Sequence, residues 1–500
     1  MVGALLLSLV FLIAQPWRAE ARTVQPREGG DMTVGSGQPS RVDAGRYGEA
    51  STLEGRPPAA RSSSLQARVD AAAPGATIEI AAGTYDGDLF IGKPVHLIGR
   101  DRPLLRGSGA GSVVLIRADD VVVEGFDIDG GGGGDLGRDS SGIHVAGARA
   151  RIRDCRITNT LFGIYLREAH GAVVAQSRVQ GIRGKAAGEK GSGIHVWNTD
   201  GFELTGNEIL DVRDGVYIQS SPHGTIRGNV ARDLRYGLHY MYSDDNVFED
   251  NVFENGDAGT AVMYSRRLTF RRNQFLHNRG FASVGLLLKT CDDVIAEDNL
   301  IADNARGVFV EGSINNVFRG NVIAGSDAAV VLFDSATRTV FTGNSFVGNL
   351  APLTLSGRRT DAIFAGNYWS DNSSLDLDGD GRTDQAYRLT SLFDHMRGNL
   401  TAADLLSRSF AASAVGAAER AFPVLQPSPV VDAQPLARPP ALRVPAPRQS
   451  GDAAAAPVAL AGSGVAVLVG VATLLSGRRR RLVPPKRAWF GGARRRRART

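Results

Sequence analysis

The chain has 500 residues, with 57 Lys and Arg against 52 Asp and Glu, 61 Gly, 22% charged and 43% hydrophobic residues. That composition describes a turn-rich, strand-rich chain with ample apolar material for a core. Of the charges behind the formal +5, eight arginines lie in the two runs Arg478–Arg481 and Arg494–Arg497. The body is therefore near neutral and carries no basic stripe interleaved with aromatics, which excludes nucleic acid as a partner.

The first elements concern export. MVGALLLSLVFLIA is almost wholly apolar, and Ala19-Glu20-Ala21 is a small-x-small cleavage site, so residues 1–22 read as a secretory signal peptide, although no Lys or Arg opens them. Residues 23–60, rich in Gly, Pro, Ser and Arg, read as a flexible lead-in. Ser64 is placed to cap a short helix with Leu65, Val69 and Ala72 on one face, and strands follow in ATIEIAAGTY and KPVHLIG. Such a helix closes the open end of a repeat stack.

The body, 61–422, is repetitive. Glycine opens a strand at Gly193, Gly215, Gly237, Gly259, Gly285 and Gly307, spaced by 22, 22, 22, 26 and 22 residues, with fainter copies at Gly142, Gly163 and Ala329. Asparagine stands 14 residues after each clear opener, at Asn207, Asn229, Asn251, Asn273, Asn299 and Asn321. The LxxLxLxxN frame of leucine-rich repeats is missing and no helix fits inside a unit. Apolar residues stand first and third after the glycine, as in Leu238 and Tyr240, so period-two alternation turns them inward. The expected fold is all-β, a right-handed parallel β-helix with about 22 residues per coil. Its asparagines form a structural ladder at a turn.

After residue 350 the repeat gives way to GNYWSDNSSLDLDGDGRTD and a helical segment near 402–421, expected to close the second end. Residues 423–456 hold eight prolines and read as a linker. Residues 457–476 form an uncharged run of 20, enough to span a bilayer core of about 30 Å, and the arginine-rich segment 477–500 favours a cytoplasmic tail. A tail removed during sorting is the alternative. Cys155 and Cys291 are the only cysteines, and six coils between them put a disulfide out of reach. Both are expected as packed, unpaired thiols.

Stacking converts phase into columns. The second positions after the openers run His144, Tyr165, His195, Tyr217, His239, Ala261, and the fourth positions run Arg167, Trp197, Gln219, Met241, Met263, Lys289. Both columns are expected to face outward. Met241 and Met263, two of only five methionines, then lie on adjacent rungs roughly 5 Å apart, with His239 two residues before Met241. Two thioethers and an imidazole form a soft donor set that suits Cu(I). Methionines packed under the C-terminal segment are the competing reading, with Trp197 and Tyr217 as a shield or an aromatic patch. A second set, Asp376, Asp378, Asp380 and Asp384 with Gly381, matches loop positions 1, 3, 5, 9 and 6 of a Ca2+ site, but Tyr387 replaces the Glu at position 12. An acidic turn without an ion is the alternative there. A carbohydrate-active reading, as a polyuronate lyase or epimerase or a sugar-binding protein, draws on Asp244, Asp245, Asp292, Asp293, Lys289 and Glu311, most of them at turns where Asp is expected anyway.

The segments GLHYMYSDDNVFEDN (237–251), AVMYSRRLTFRRN (261–273), GLLLKTCDD (285–293), GNYWSD (366–371), DLDGDGRTDQAYR (376–388), SLFDH (391–395) and AERAFPVL (418–425) together resemble the NosD family, over about residues 60–440. The resemblance implies a periplasmic, non-enzymatic β-helical partner of an ABC transporter, whose permease and ATPase subunits are separate chains. It implies receipt of Cu(I) from a membrane-attached copper chaperone and delivery to apo nitrous oxide reductase. His239, Met241 and Met263 stand on matched motifs. The C-terminal apolar run and arginine tail depart from the family pattern and raise the prospect of an inner-membrane anchor.

Overall fold

The computed structural model describes residues 64–389 other than 281, 282 and 358, residues 430–440, and isolated positions between 391 and 443. All of these lie in the unit Arg56–Thr500. The expected signal peptide, lead-in, apolar run 457–476 and arginine tail fall outside the described residues, as do most of 402–421 and of the linker 423–456. Among the described residues no helix is long and apolar enough to cross a membrane.

From Ala76 onward the chain winds as a parallel β-solenoid. Each coil gives one strand to each of three sheets of 15, 13 and 12 strands, and each strand pairs with the strand of the next coil. The helix Ser64–Ala71 covers the first coil with Leu65 and Val69 buried, as expected, although Ser64 is its first residue rather than its cap. The pairing is parallel throughout except at the far end, where Tyr387–Arg388 runs antiparallel to Val431–Asp432.

Inward-facing side chains stack on their equivalents in the next coil. Phe248 lies on Phe270 at 4.5 Å, Phe318 on Phe341 at 4.6 Å and Phe341 on Phe364 at 4.7 Å, all within 8° of parallel. The in-phase repeat produces this geometry, because a parallel coil places each ring over its own copy. The opener glycines are required for a steric reason. A Cβ at Gly215 would sit 2.5 Å from the carbonyl oxygen of Gly237, and one at Gly237 2.7 Å from that of Gly259.

The asparagines form the ladder that the spacing predicts. The Oδ1 of Asn251 accepts from the backbone N–H and the Nδ2 of Asn229, both at 3.0 Å, while its own Nδ2 donates to the Ile226 carbonyl and to Asn273 Oδ1. The pattern continues through Asn344 to Asn367, all fully buried. It ends on Asp432, whose buried carboxylate accepts from Gly366 N, Asn367 N, Asn367 Nδ2 and Trp369 Nε1. Among the described residues the second end is thus closed by a returning strand and a carboxylate.

Cys155 and Cys291 are free and buried, as expected. Each occupies a turn column: Cys155 N donates to Ser177 Oγ at the head of the asparagine column, and Cys291 N to Ser313 Oγ in a serine column. Burial pushes both thiols up to about 12.

Candidate metal centre

The third sheet carries the face on which the predicted site lies. Register pairs Gln219 with Met241, Met241 with Met263 and Met263 with Lys289, so the fourth-position column forms as the spacing predicts. Met241 and Met263 are half-buried neighbours on adjacent rungs. His239 lies two residues before Met241, and its direct neighbour on the Met263 strand is the small Ala261.

The second-position column is less open than expected. Its rings stack: His144 on Tyr165 at 5.0 Å, Tyr165 on His195 at 4.3 Å and His195 on Tyr217 at 4.3 Å. They point away from the solenoid interior, yet His144 and Tyr165 are only 2% and 6% exposed. Two segments longer than the repeat produce this cover. One contributes Leu136 from the turn Leu136–Arg138, the other Ile182 after the strand Arg178–Gly181, and they pack with Leu161, Phe162 and Trp197 around Tyr165. Burial lowers His144 to about 4 and His195 to about 3, so both imidazoles are neutral at physiological pH.

His239 ends this ring column. It meets Tyr217 edge-on at 4.9 Å and Tyr236 at 5.2 Å, and its Nδ1 lies 3.2 Å from Asp214 Oδ2. Asp214 is wholly buried and is gripped by Arg235 through Nε at 2.8 Å and Nη2 at 2.7 Å. Burial opposes its charge, but the bonds from His239 and Arg235 outweigh that and pull the carboxyl down to about 2. Sequence reading missed Asp214. Its signal was a carboxylate directly before an opener glycine, at a register where the following coils carry Tyr236 and Ala258.

Directly after each methionine stands a tyrosine. Tyr242 and Tyr264 stack at 5.1 Å and 9°, are 55% and 43% exposed, and both hold φ +53. A bulky residue in the left-handed region is uncommon. Here the corner between two sheets imposes it, since the same turn column has positive φ at Ser220 and Thr290.

In the acidic loop, oxygens of Asp376, Asp378 and Asp380 lie within 4.8 Å of one another. Asp384 stands outside that trio: its Oδ2 accepts from Leu377 N. Tyr387 donates its hydroxyl to Asp371, holding the loop from outside.

The carboxylates considered for sugar chemistry are engaged in corner networks. Asp244 and Asp245 bind Arg267, Asp292 accepts from Ile314 N, Asp293 accepts from Asn315 Nδ2, and Lys289 pairs with Glu311 at 3.3 Å. They gather no carboxylate cluster around a free base.

Fold and face together define a parallel β-solenoid whose third sheet presents two adjacent thioethers beside an oriented imidazole. Residues 180–374 match the family described as periplasmic copper-binding protein (NosD). It is 30% identical over 138 residues to "Probable ABC transporter binding protein NosD" of Stutzerimonas stutzeri, covering 27% of this chain and 31% of the relative. The protein of the same name from Pseudomonas aeruginosa is 30% identical over 139 residues, covering 27% and 32%. The match thus spans about a third of either relative. Among solved structures, the A-modules of the mannuronan C-5 epimerases AlgE6 and AlgE4 of Azotobacter vinelandii align with TM-scores of 0.51 and 0.50, at 16% and 15% identity. Each alignment covers 60% of this chain and 94% of the module. That likeness concerns the fold alone.

Proposed function

We propose that this chain is an exported copper-binding accessory protein of an ABC transporter system, which passes Cu(I) to apo nitrous oxide reductase during maturation of its copper site. The observation that carries the reading is the pairing of Met241 with Met263 on adjacent rungs, with His239 on the same face. The description of the matched family and the names of the two relatives support it.

The metal is cargo in this reading. Thioethers bind Cu(I) well and bind Zn2+, Ca2+ and Mg2+ poorly, so two methionines and one imidazole select the monovalent soft ion. Three donors on a sheet face, rather than a closed cage, leave one side free for a partner's ligand to attack, which is what a hand-off requires. The chain contains no phosphate-binding loop, so ATP hydrolysis belongs to the ATPase subunit. The permease, a membrane-attached copper chaperone and the reductase are the remaining partners. The protein is periplasmic in this scheme, and the run 457–476 tethers it to the inner membrane. Deleting 457–500 should then release it from the membrane fraction.

The test is a chelator competition for Cu(I) with the full chain. His239→Gln, Met241→Leu and Met263→Leu keep side-chain volume, so the triple variant should fold normally and lose at least ~100-fold in affinity. Unchanged affinity refutes the site. We also propose a Ca2+ ion on Asp376, Asp378 and Asp380, supported by their convergence. Tb3+ luminescence sensitised by Tyr387 and lost in Asp378→Asn tests it.

A further inference from the structure

We propose that Asp214 is the positioning residue of the copper-binding imidazole: it holds His239 in the tautomer with the proton on Nδ1 and the lone pair on Nε2. The proposal rests on the copper reading and names the group that prepares its nitrogen donor.

Arg235 donates two N–H groups to the Asp214 carboxylate, and Arg213 Nε lies 3.4 Å from Oδ2. A carboxylate held by guanidinium groups is ionised and can only accept. The 3.2 Å contact with His239 Nδ1 therefore needs the proton on that nitrogen. In a neutral ring the lone pair is then on Nε2, which makes no hydrogen bond among the described residues. A metal-ligating imidazole whose other nitrogen donates to a carboxylate is oriented and made more basic by it.

The surroundings fix the ring as well as its proton. Tyr217 and Tyr236 meet it edge-on, and Arg235, while gripping Asp214, also lies over the Tyr236 ring at 4.4 Å. A buried carboxylate, a half-buried guanidinium and two half-buried phenol rings thus form one frame around a single imidazole. Nothing in a plain structural solenoid demands a wholly buried carboxylate at this register, where the next coils are served by Tyr236 and Ala258.

The test uses the metal-free full chain labelled with 15N-histidine, with the His239 signals identified by their loss in His239→Gln. The expected spectrum shows a protonated Nδ1 and an unprotonated Nε2. A wild-type ring protonated on Nε2, or on both nitrogens at neutral pH, overturns the proposal whether or not any variant folds. Asp214→Asn should mix the tautomers, since an amide can turn either its oxygen or its NH2 to the ring. It should also weaken Cu(I) binding by ~10–100-fold, with no further loss in the His239→Gln background. If His239→Gln weakens Cu(I) but Asp214→Asn alters neither tautomer nor affinity, the positioning role fails and the copper site stands. If His239→Gln leaves Cu(I) affinity unchanged, the copper assignment beneath the proposal fails.

Discussion

Asn251→Ala gives the sharpest test of the ladder. The side chain serves four buried partners: Oδ1 accepts from Asn229 N and Asn229 Nδ2, and Nδ2 donates to Ile226 O at 2.8 Å and Asn273 Oδ1 at 2.9 Å. Alanine removes all four bonds: Asn229 N loses its acceptor outright, whereas Asn229 Nδ2 keeps the Leu204 carbonyl and Asn273 Oδ1 keeps the Asn251 backbone N–H. An orphaned buried donor costs about 1–3 kcal/mol and each further lost bond about 0.5–1.5 kcal/mol, with relaxation of the neighbouring amides recovering part of the sum. A net loss of ~2–4 kcal/mol is expected. Because a solenoid coil contacts only its neighbours, the loss should be local. The assay is native-state hydrogen exchange. The Asn229 amide, which donates to the missing oxygen, should exchange ~100-fold faster or more, at about 1.4 kcal/mol per tenfold. Asn251→Asp should be worse still, because a carboxylate would face the Ile226 carbonyl and Asn273 Oδ1. A change below ~1 kcal/mol in the alanine variant, or an aspartate variant as stable as wild type, would refute the reasoning.

Three further expectations follow from the same geometry. Asp432→Ala should expose the end of the column: the Gly366 and Asn367 amides lose their acceptor, so their protection should fall while that of Asn229 is unchanged. His144 and His195 have folded-state values lowered to about 4 and about 3, so the unfolded chain binds more protons than the native chain between those values and about pH 6.5. Their stabilising effect is complete above about pH 6.5 and declines as pH falls, by up to ~1.4 kcal/mol per pH unit for each. Denaturant midpoints measured from pH 7 to 5 should show this fall, and His195→Phe should reduce the slope. Cys291, buried with its thiol pushed up to about 12, should react with a thiol reagent no faster than the chain opens, and the reaction should reveal no disulfide with Cys155.

The repeat itself was legible in the sequence. Glycine and asparagine in fixed phase determined the coil length, the ladder and the side of each strand that Leu238 and Tyr240 bury, because a parallel coil repeats every local choice in register. The pairing of Met241 with Met263 followed from the same arithmetic. Where the phase broke, only the tertiary structure decided. The 30 residues from Gly163 to Gly193 contain an excursion that covers the ring column, and period-two alternation could say only that His144 points away from the interior, not that it is buried. Asp214 finds its partners on the next coil, with His239 25 residues on, and Asp432 reaches a ladder end 65 residues earlier. Such contacts depend on how coils and returning strands meet in space. Local sequence fixes the rung, but a hydrogen bond between rungs is settled only when the stack closes.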